Sequence, residues 1–315
     1  MHAIRLRGVR KTYGSHVAVD DLALDVPRGS VYGFIGPNGS GKSTTIRMIL
    51  NIILPDRGEI EVLGSSETAA ARDRVGYLPE ERGLYKKMTV RRVLDYFGRL
   101  KGGEPAAVAR EREEWLERLG LTAWRDKKVE ALSKGMAQKI QFIASVVAKP
   151  ELLILDEPFS GLDPVNMEAL KDAILEMRRR GTTIVFSTHD MPVAERMCDR
   201  LFMIFRGKKV LDGTLEEIQA RYGEDTLRIS CAGGVEALRR AAPAGAAIND
   251  YGNLQEVRGV GDPQALLRAL AGATAVSRFE VVRPSLHDVF VRIAGDGAAA
   301  AAAASAAGRR EGGAS

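Results

Sequence analysis

The nonapeptide Gly36-Pro37-Asn38-Gly39-Ser40-Gly41-Lys42-Ser43-Thr44 (GPNGSGKST) follows the apolar run Val31 to Ile35 and leads into a helix-like segment, Thr44 to Leu50. It fills the spacing G-x-x-x-x-G-K-[ST], and an apolar strand entering a glycine-rich turn that opens a helix is the context this spacing requires. Glycines let backbone N–H groups curl around phosphate oxygens, and the start of the following helix adds partial positive charge. Lys42 is then expected to reach β- and γ-phosphates, and the Ser43 hydroxyl to ligate magnesium. The expectation is a nucleoside triphosphate site.

Two later segments extend it. Leu152 to Asp156 reads LLILD, a continuous apolar run of the kind that forms a buried parallel strand and delivers its last residue to the sheet's C-terminal edge. Ligands of open α/β sheets bind at that edge. Asp156 is therefore expected to hold magnesium through a water. Glu157 beside it is the candidate general base for an attacking water. Thr182 to Ser187 reads TTIVFS and leads into Thr188-His189-Asp190. An imidazole at the end of a third strand of that sheet, His189, is placed to contact a γ-phosphate and sense its presence.

The segment LSKGMAQK, Leu132 to Lys139, opens another helix-like stretch. Ser133 there is an N-cap candidate, its hydroxyl accepting from a free N–H of the first turn.

Composition bounds the rest. The 315 residues, 45% hydrophobic and 28% charged, exceed what one core usually serves, so two domains are expected. The formal charge of +5 suits an anionic ligand or membrane surface, and equally an ordinary solvated face. Cys198 and Cys231 have no partner spacing for zinc or redox work, which favours a reducing compartment. The start, MHAIRLRGVRKTYG, alternates like a strand and lacks the apolar core of a signal peptide. No run approaches the roughly 20 apolar residues of a spanning helix. A cytoplasmic chain is expected.

Tyr13, GPNGSGKST, LSKGMAQK, LLILDEP, SGLD (Ser160 to Asp163) and His189 occur in an order that resembles the nucleotide-binding subunits of ATP-binding cassette (ABC) transporters, over about residues 4 to 220. The resemblance implies an α/β fold: a P-loop NTPase with a mixed sheet core and an ABC-type helical subdomain, using ATP and Mg2+. It implies that the Tyr13 ring stacks on adenine. It also implies that Ser133 and Gly135 belong to a signature motif binding the γ-phosphate of ATP held by another subunit, so that two subunits face each other head to tail, and that Asp163 couples the two sites.

Three residues depart from the family pattern. Lys134 stands where glycine is common, Met136 where glutamine is, and Glu80 in GYLPEERGLY where a magnesium-touching glutamine is usual. A carboxylate can ligate magnesium at least as well, so Glu80 joins Ser43 and Asp156 as a metal candidate.

Between the phosphate loop and the signature, Arg82 to Glu130 is charged and rich in helix formers, with Trp115, Leu116 and Leu119 at helical spacing. It reads as an arm that, by resemblance, docks a permease together with the Glu80 loop. The cluster Lys86, Lys87, Arg91, Arg92 faces permease, lipid or solvent. Past Arg221 a strand (Thr226 to Ser230), a helix (Leu266 to Leu270) and a strand (Arg278 to Val282) precede PSLHDVFVRIAG, whose Ser285 can cap a last helix. This resembles the small α+β C-terminal domain of sodium-efflux and daunorubicin-resistance ABC ATPases.

The expected domains are an ABC ATPase at 1–222, with its helical subdomain at about 82–150, an α+β accessory domain at 223–294, and a disordered Ala/Gly-rich tail at 295–315. His2, His16 and His287 have no companions at ligand spacing and read as structural or exposed. The expected function is the ATP-hydrolysing subunit of an export system, a homodimer or one of a pair of ATPase subunits on the cytoplasmic membrane face, driving a separate polytopic permease, with no nucleic acid bound. The rival, a soluble ABC protein acting on the ribosome, usually carries two cassettes, and one phosphate loop occurs here. A small-molecule kinase or GTPase would leave Ser133, Gly135 and His189 idle.

Overall fold

The computed structural model of the chain describes residues 2–81, 83–222 and 226–295. They form two compact units, one ending at Thr214 and one beginning at Leu215. In the first, β1 (His2–Tyr13) and β2 (His16–Pro27) make a hairpin with Tyr13 opposite His16, and Gly14 turns the chain at φ 59. β3 (Val31–Ile35) is buried throughout and feeds the glycine-rich turn and α1 (Lys42–Ile49). β4 (Arg57–Val62) returns beside β1, closing a small antiparallel sheet.

β5 (Val75–Leu78) starts the main sheet and precedes the arm, α2 (Val90–Leu100), α3 (Pro105–Arg118) and α4 (Lys134–Val146). Then come β6 (Leu152–Asp156), α5 (Pro164–Arg179), β7 (Thr183–Thr188), α6 (Met191–Met197), β8 (Arg200–Phe205) and β9 (Lys208–Gly213). The order is β5-β6-β7-β3-β8-β9, parallel except for the antiparallel edge strand β9. This is the mixed sheet of the expected fold.

The apolar runs are continuous because both faces are covered. Val31, Leu153, Leu155, Ile184 and Phe186 enter one core with the arm and α5, while Tyr32, Phe34, Leu152, Ile154 and Val185 alternate into a second with the small sheet and α1. Trp115 and Leu116 are fully buried, and the Trp115 ring meets Phe142 of α4 edge-on at 5.6 Å. Within the arm, α2 and α3 thus pack on α4 through a shared apolar core that includes Val93, Leu94, Val108, Ile140 and Ile143. Arg82, the arm's expected first residue, lies outside the described residues.

The second unit holds α7 (Leu215–Tyr222), β10 (Thr226–Cys231), α8 (Gly234–Ala241), β11 (Ala247–Asp250), β12 (Gln255–Arg258), α9 (Pro263–Ala273) and β13 (Val276–Val282). From β10 this is a β-α-β-β-α-β sequence with antiparallel order β11-β12-β10-β13, the ferredoxin-like arrangement. Leu227, Ile229, Val257, Leu238, Leu266 and Leu270 form the core between the sheet and its two helices. A last helix spans 286–295. The Ser285 hydroxyl accepts from Asp288 N at 3.2 Å while the Asp288 carboxylate accepts from Ser285 N at 3.0 Å, a reciprocal capping box.

Reading the first domain to residue 222 put α7 on the wrong side of the break. Ile218 is buried, and within the second unit Gln219 donates to Pro284 O and Arg292 to Tyr222 O. Of the expected tail, 295–315, Gly295 ends the last helix and the rest lies outside the described residues. Among the described residues no helix is long and apolar enough to cross a membrane.

Candidate functional site

The glycine-rich turn is shaped by two close approaches. A side chain at Gly36 (φ 151) would strike Ile204 O, and one at Gly41 (φ 112) would come within 2.6 Å of Ala18 O. Gly41 is also the N-cap of α1 and supplies no side-chain acceptor, so the first-turn N–H groups keep their capacity for an anion. Lys42 Nζ donates to Gly36 O at 2.7 Å and Pro37 O at 3.1 Å. Burial pushes its ammonium down from the ordinary lysine range, against the pull of Glu157, Asp156 and Glu80. The buried Ser40 hydroxyl has no partner among the described residues.

A cavity of about 350 Å³ opens here, lined by Asn38, Gly39, Ser40, Gly41, Lys42, Ser43, Thr44, Tyr13, Glu80 and Glu157. That is within the usual range for small-molecule sites. Tyr13 ends β1 half exposed, its ring 5.8 Å from Lys11 Nζ. Asp56 fixes this strand end by accepting from Lys11 Nζ at 2.8 Å and from Thr12 N at 2.7 Å. His16 and Ala18 also line the cavity. His16 is exposed, as the sequence reading has it, and the two-residue hairpin turn sets it opposite Tyr13.

Sheet register assembles the acids. Asp156 of β6 is opposite Ser187 of β7, whose hydroxyl donates to the Asp156 carboxylate and accepts from Glu157 N at 3.1 Å. Glu157 has φ 48, in the left-handed region that a non-glycine residue occupies only when its surroundings enforce it. Its side chain is buried and its Oε1 lies 3.0 Å from His189 Nδ1. The His189 ring thus holds the Glu157 carboxylate through Nδ1. With Nδ1–H donated to Glu157, Nε2 remains available for a second contact.

Two residues not singled out in the sequence tie these loops to α4. Gln138 Nε2 donates to Pro158 O at 3.1 Å, behind Glu157, and Gln141 Nε2 donates to Pro79 O at 3.3 Å and Glu81 O at 3.1 Å, on either side of Glu80. Their i, i+3 spacing puts both on one face of the helix. The only sequence signal was polar residues within an otherwise apolar helix face.

Ser133 caps α4 as expected, accepting from Met136 N at 3.3 Å. Gly135 is packed so that a Cβ would sit 2.6 Å from Asn166 Nδ2, and Asn166 donates to the Asp163 carboxylate. Asp163 caps α5 by accepting from Asn166 N at 3.0 Å, and these donors hold its carboxyl below the usual range. Lys134 extends over Gly161, and Met136 packs into the apolar core, which accounts for its lost polarity. The structure therefore gathers Ser133, Gly135 and Asp163 at two facing helix starts, and none of them lines the cavity.

The ABC transporter family profile matches residues 19–160, and that of the C-terminal domain of DrrA1-3-like ATP-binding proteins matches 213–294. The uncharacterized ABC transporter ATP-binding protein YhaQ of Bacillus subtilis is 43% identical over 297 residues, covering 91% of this chain and 97% of that protein. The Nod factor export ATP-binding protein I of Bradyrhizobium diazoefficiens is 37% identical over 303 residues, 93% of this chain and 96% of that one. Among solved structures, an ATP-binding subunit of an ABC transporter superposes with TM-score 0.66 at 31% identity, over 70% of this chain and 93% of its own. The chain belongs to the ATP-binding proteins of ABC transporters.

Proposed function

We propose that two copies of this ATPase face each other head to tail around two ATP molecules, at the cytoplasmic membrane face, and drive a separate permease that exports its cargo. Export is the direction named for the Bradyrhizobium relative. The observation that carries the homodimer is a separation within one chain. The phosphate turn, Glu80 and Glu157 line one cavity, while the Ser133 and Gly135 helix start lies outside it. A signature facing a γ-phosphate then needs the partner's phosphate loop.

Within each site Tyr13 stacks on adenine, and Lys42 leaves the Gly36 and Pro37 carbonyls for the β- and γ-phosphates. Glu157, aimed by His189, takes the proton of the attacking water. Magnesium fits the donors present. Ser43, Asp156 and Glu80 offer hard oxygens, and no three-carboxylate cage exists among the described residues, as suits an ion that binds largely through phosphates. When bound, it neutralises charge on the β- and γ-oxygens. The permease docks beside the Glu80 loop, on a groove of about 340 Å³ lined by Leu84, Phe97, Leu100 and Gln141.

Mixing two inactive variants tests the composite site. Lys42→Ala and Ser133→Arg each turn over little ATP alone. Mixed in equal amounts they regain about a quarter of parental activity, because half of the dimers are mixed and each carries one intact site of two. Full activity of Ser133→Arg alone, or no recovery on mixing, would reject the head-to-tail reading.

A further inference from the structure

Strand β13 is a long edge guarded mainly by two charged side chains. It reads VSRFEVV, seven residues with no proline, glycine or lysine, and pairs with β10 on one side only among the described residues. The opposite edge, β11, is four residues long. Natural sheets blunt such edges by shortness, proline or lysine, since a bare edge templates another strand.

The charges on this edge specify one kind of strand. Arg278 and Glu280 are about half exposed, at 52% and 46%, share a sheet face, and pair with each other along the strand, Arg278 Nη2 donating to Glu280 Oε2 at 2.5 Å. Glu280 is in register with Arg228, which is in register with and ion-paired to Glu256 at 3.0 Å. One row across the sheet therefore runs Glu256, Arg228, Glu280 and ends at the edge on an acid. The neighbouring row, through Ser230, ends on the base Arg278. An incoming strand that sets a base beside Glu280 and, two residues on, an acid beside Arg278 extends this pair into a network, and the reverse order sets like charges together.

β13 itself meets that demand. Paired antiparallel with a copy of itself about a two-fold axis at Phe279, it sets the partner subunit's Arg278 opposite Glu280 and the partner subunit's Glu280 opposite Arg278. Phe279 then faces its own copy, and Val281, 47% exposed, gains cover beside the partner subunit's Ser277. Centring the axis on residue 278 or 280, or running the strands parallel in register, puts like charges together, which is destabilising. We propose that the second unit pairs with a second copy through β13, joining two four-stranded sheets into one of eight. The occupant follows from the homodimer proposed above, but the contact needs no nucleotide, and it holds two subunits together when their ATP sites part.

The test is sedimentation of the full-length protein without nucleotide, comparing the parent, Arg278→Glu, Glu280→Arg and the double exchange. The parent dimerises. Each single reversal weakens the dimer about tenfold or more, since it replaces two attractive cross-strand pairs by two repulsive ones. The double exchange restores attraction between the copies but sets E280R opposite Arg228 within the sheet, so it recovers most, not all, of the association lost in either single reversal, and urea unfolding of each variant shows whether the sheet itself is kept. A parent that stays monomeric, reversals without effect, or a double variant weaker than either single overturns the proposal. ATP-driven dimerisation of Glu157→Gln carrying Arg278→Glu is followed alongside. Its persistence keeps the head-to-tail site even where edge pairing fails, and its loss indicts that site instead.

Discussion

Helices α1 and α4 begin alike and end up with different capacities. Each presents free N–H groups at its start, the elementary requirement for holding an anion. At α1 the cap is Gly41 in the left-handed region, the first turn carries the buried Lys42, and Glu80 and Glu157 line the cavity that opens there. At α4 the cap is Ser133, which occupies one N–H itself, and the nearby groups, Asp163 and Asn166, belong to another helix start. A helix start becomes a site through what the fold sets opposite it, and within one chain α1 is so equipped where α4 is not.

The sharpest way to break the comparison is to remove the cation from the equipped end. Lys42→Ala is expected to lower kcat/KM for ATP by roughly 10³-fold, with nucleotide affinity lost in titration calorimetry. Ser133→Ala at the other end should leave single-subunit affinity unchanged within about twofold. Equal losses for both would erase the distinction.

Next in size is Glu157→Gln, expected to cost roughly 10²- to 10³-fold in kcat while ATP binding persists. A rate near the parent's would remove Glu157 as the base and leave its strained backbone without a role.

Gln141→Leu sharpens the comparison by loosening the tie between α4 and the Glu80 loop. It leaves two part-buried carbonyls short of a donor, at a cost of about 1 to 2 kcal/mol in urea unfolding. Turnover should fall several-fold with KM for ATP little changed; unchanged turnover would make the tie purely structural.

The smallest effect is expected at the Tyr13 wall. Lys11, then Thr12, hold the Asp56 carboxyl down at about 2, against an unfolded value of 3.8. A depressed carboxyl stabilises the fold fully above its unfolded pKa and loses that contribution as pH falls through the folded one. Asp56→Asn should therefore lower Tm slightly at pH 6, with the gap closing between pH 4 and 2. A gap constant with pH would assign the effect to hydrogen bonding alone.

Some of this was legible early because it is local. The turn from Gly36 to Thr44 carries its conformation and its lysine within nine residues, and Ser133 needed only the next helical turn to show itself as a cap. Strands β3, β6 and β7 announced themselves by unbroken apolar runs that only two-sided burial explains. In the second unit α8, β11 and β12 went unread. β11 is mostly exposed and both strands are four residues long, so there was no periodicity to find.

What the sequence by itself determined is the chemistry carried within single segments: a phosphate turn, a pair of acids after a strand, a capped signature helix, and their order. Tertiary structure alone decided which of them meet. The Asp156–Ser187 register brings His189 onto Glu157 across 32 positions, Gln138 and Gln141 reach two loops from one helix face, and Ser133 is left outside the cavity that the other motifs share. Local backbone conformation follows from neighbours in the chain, whereas strand order and register are set by burying both faces of a sheet, and that is a property of the whole unit.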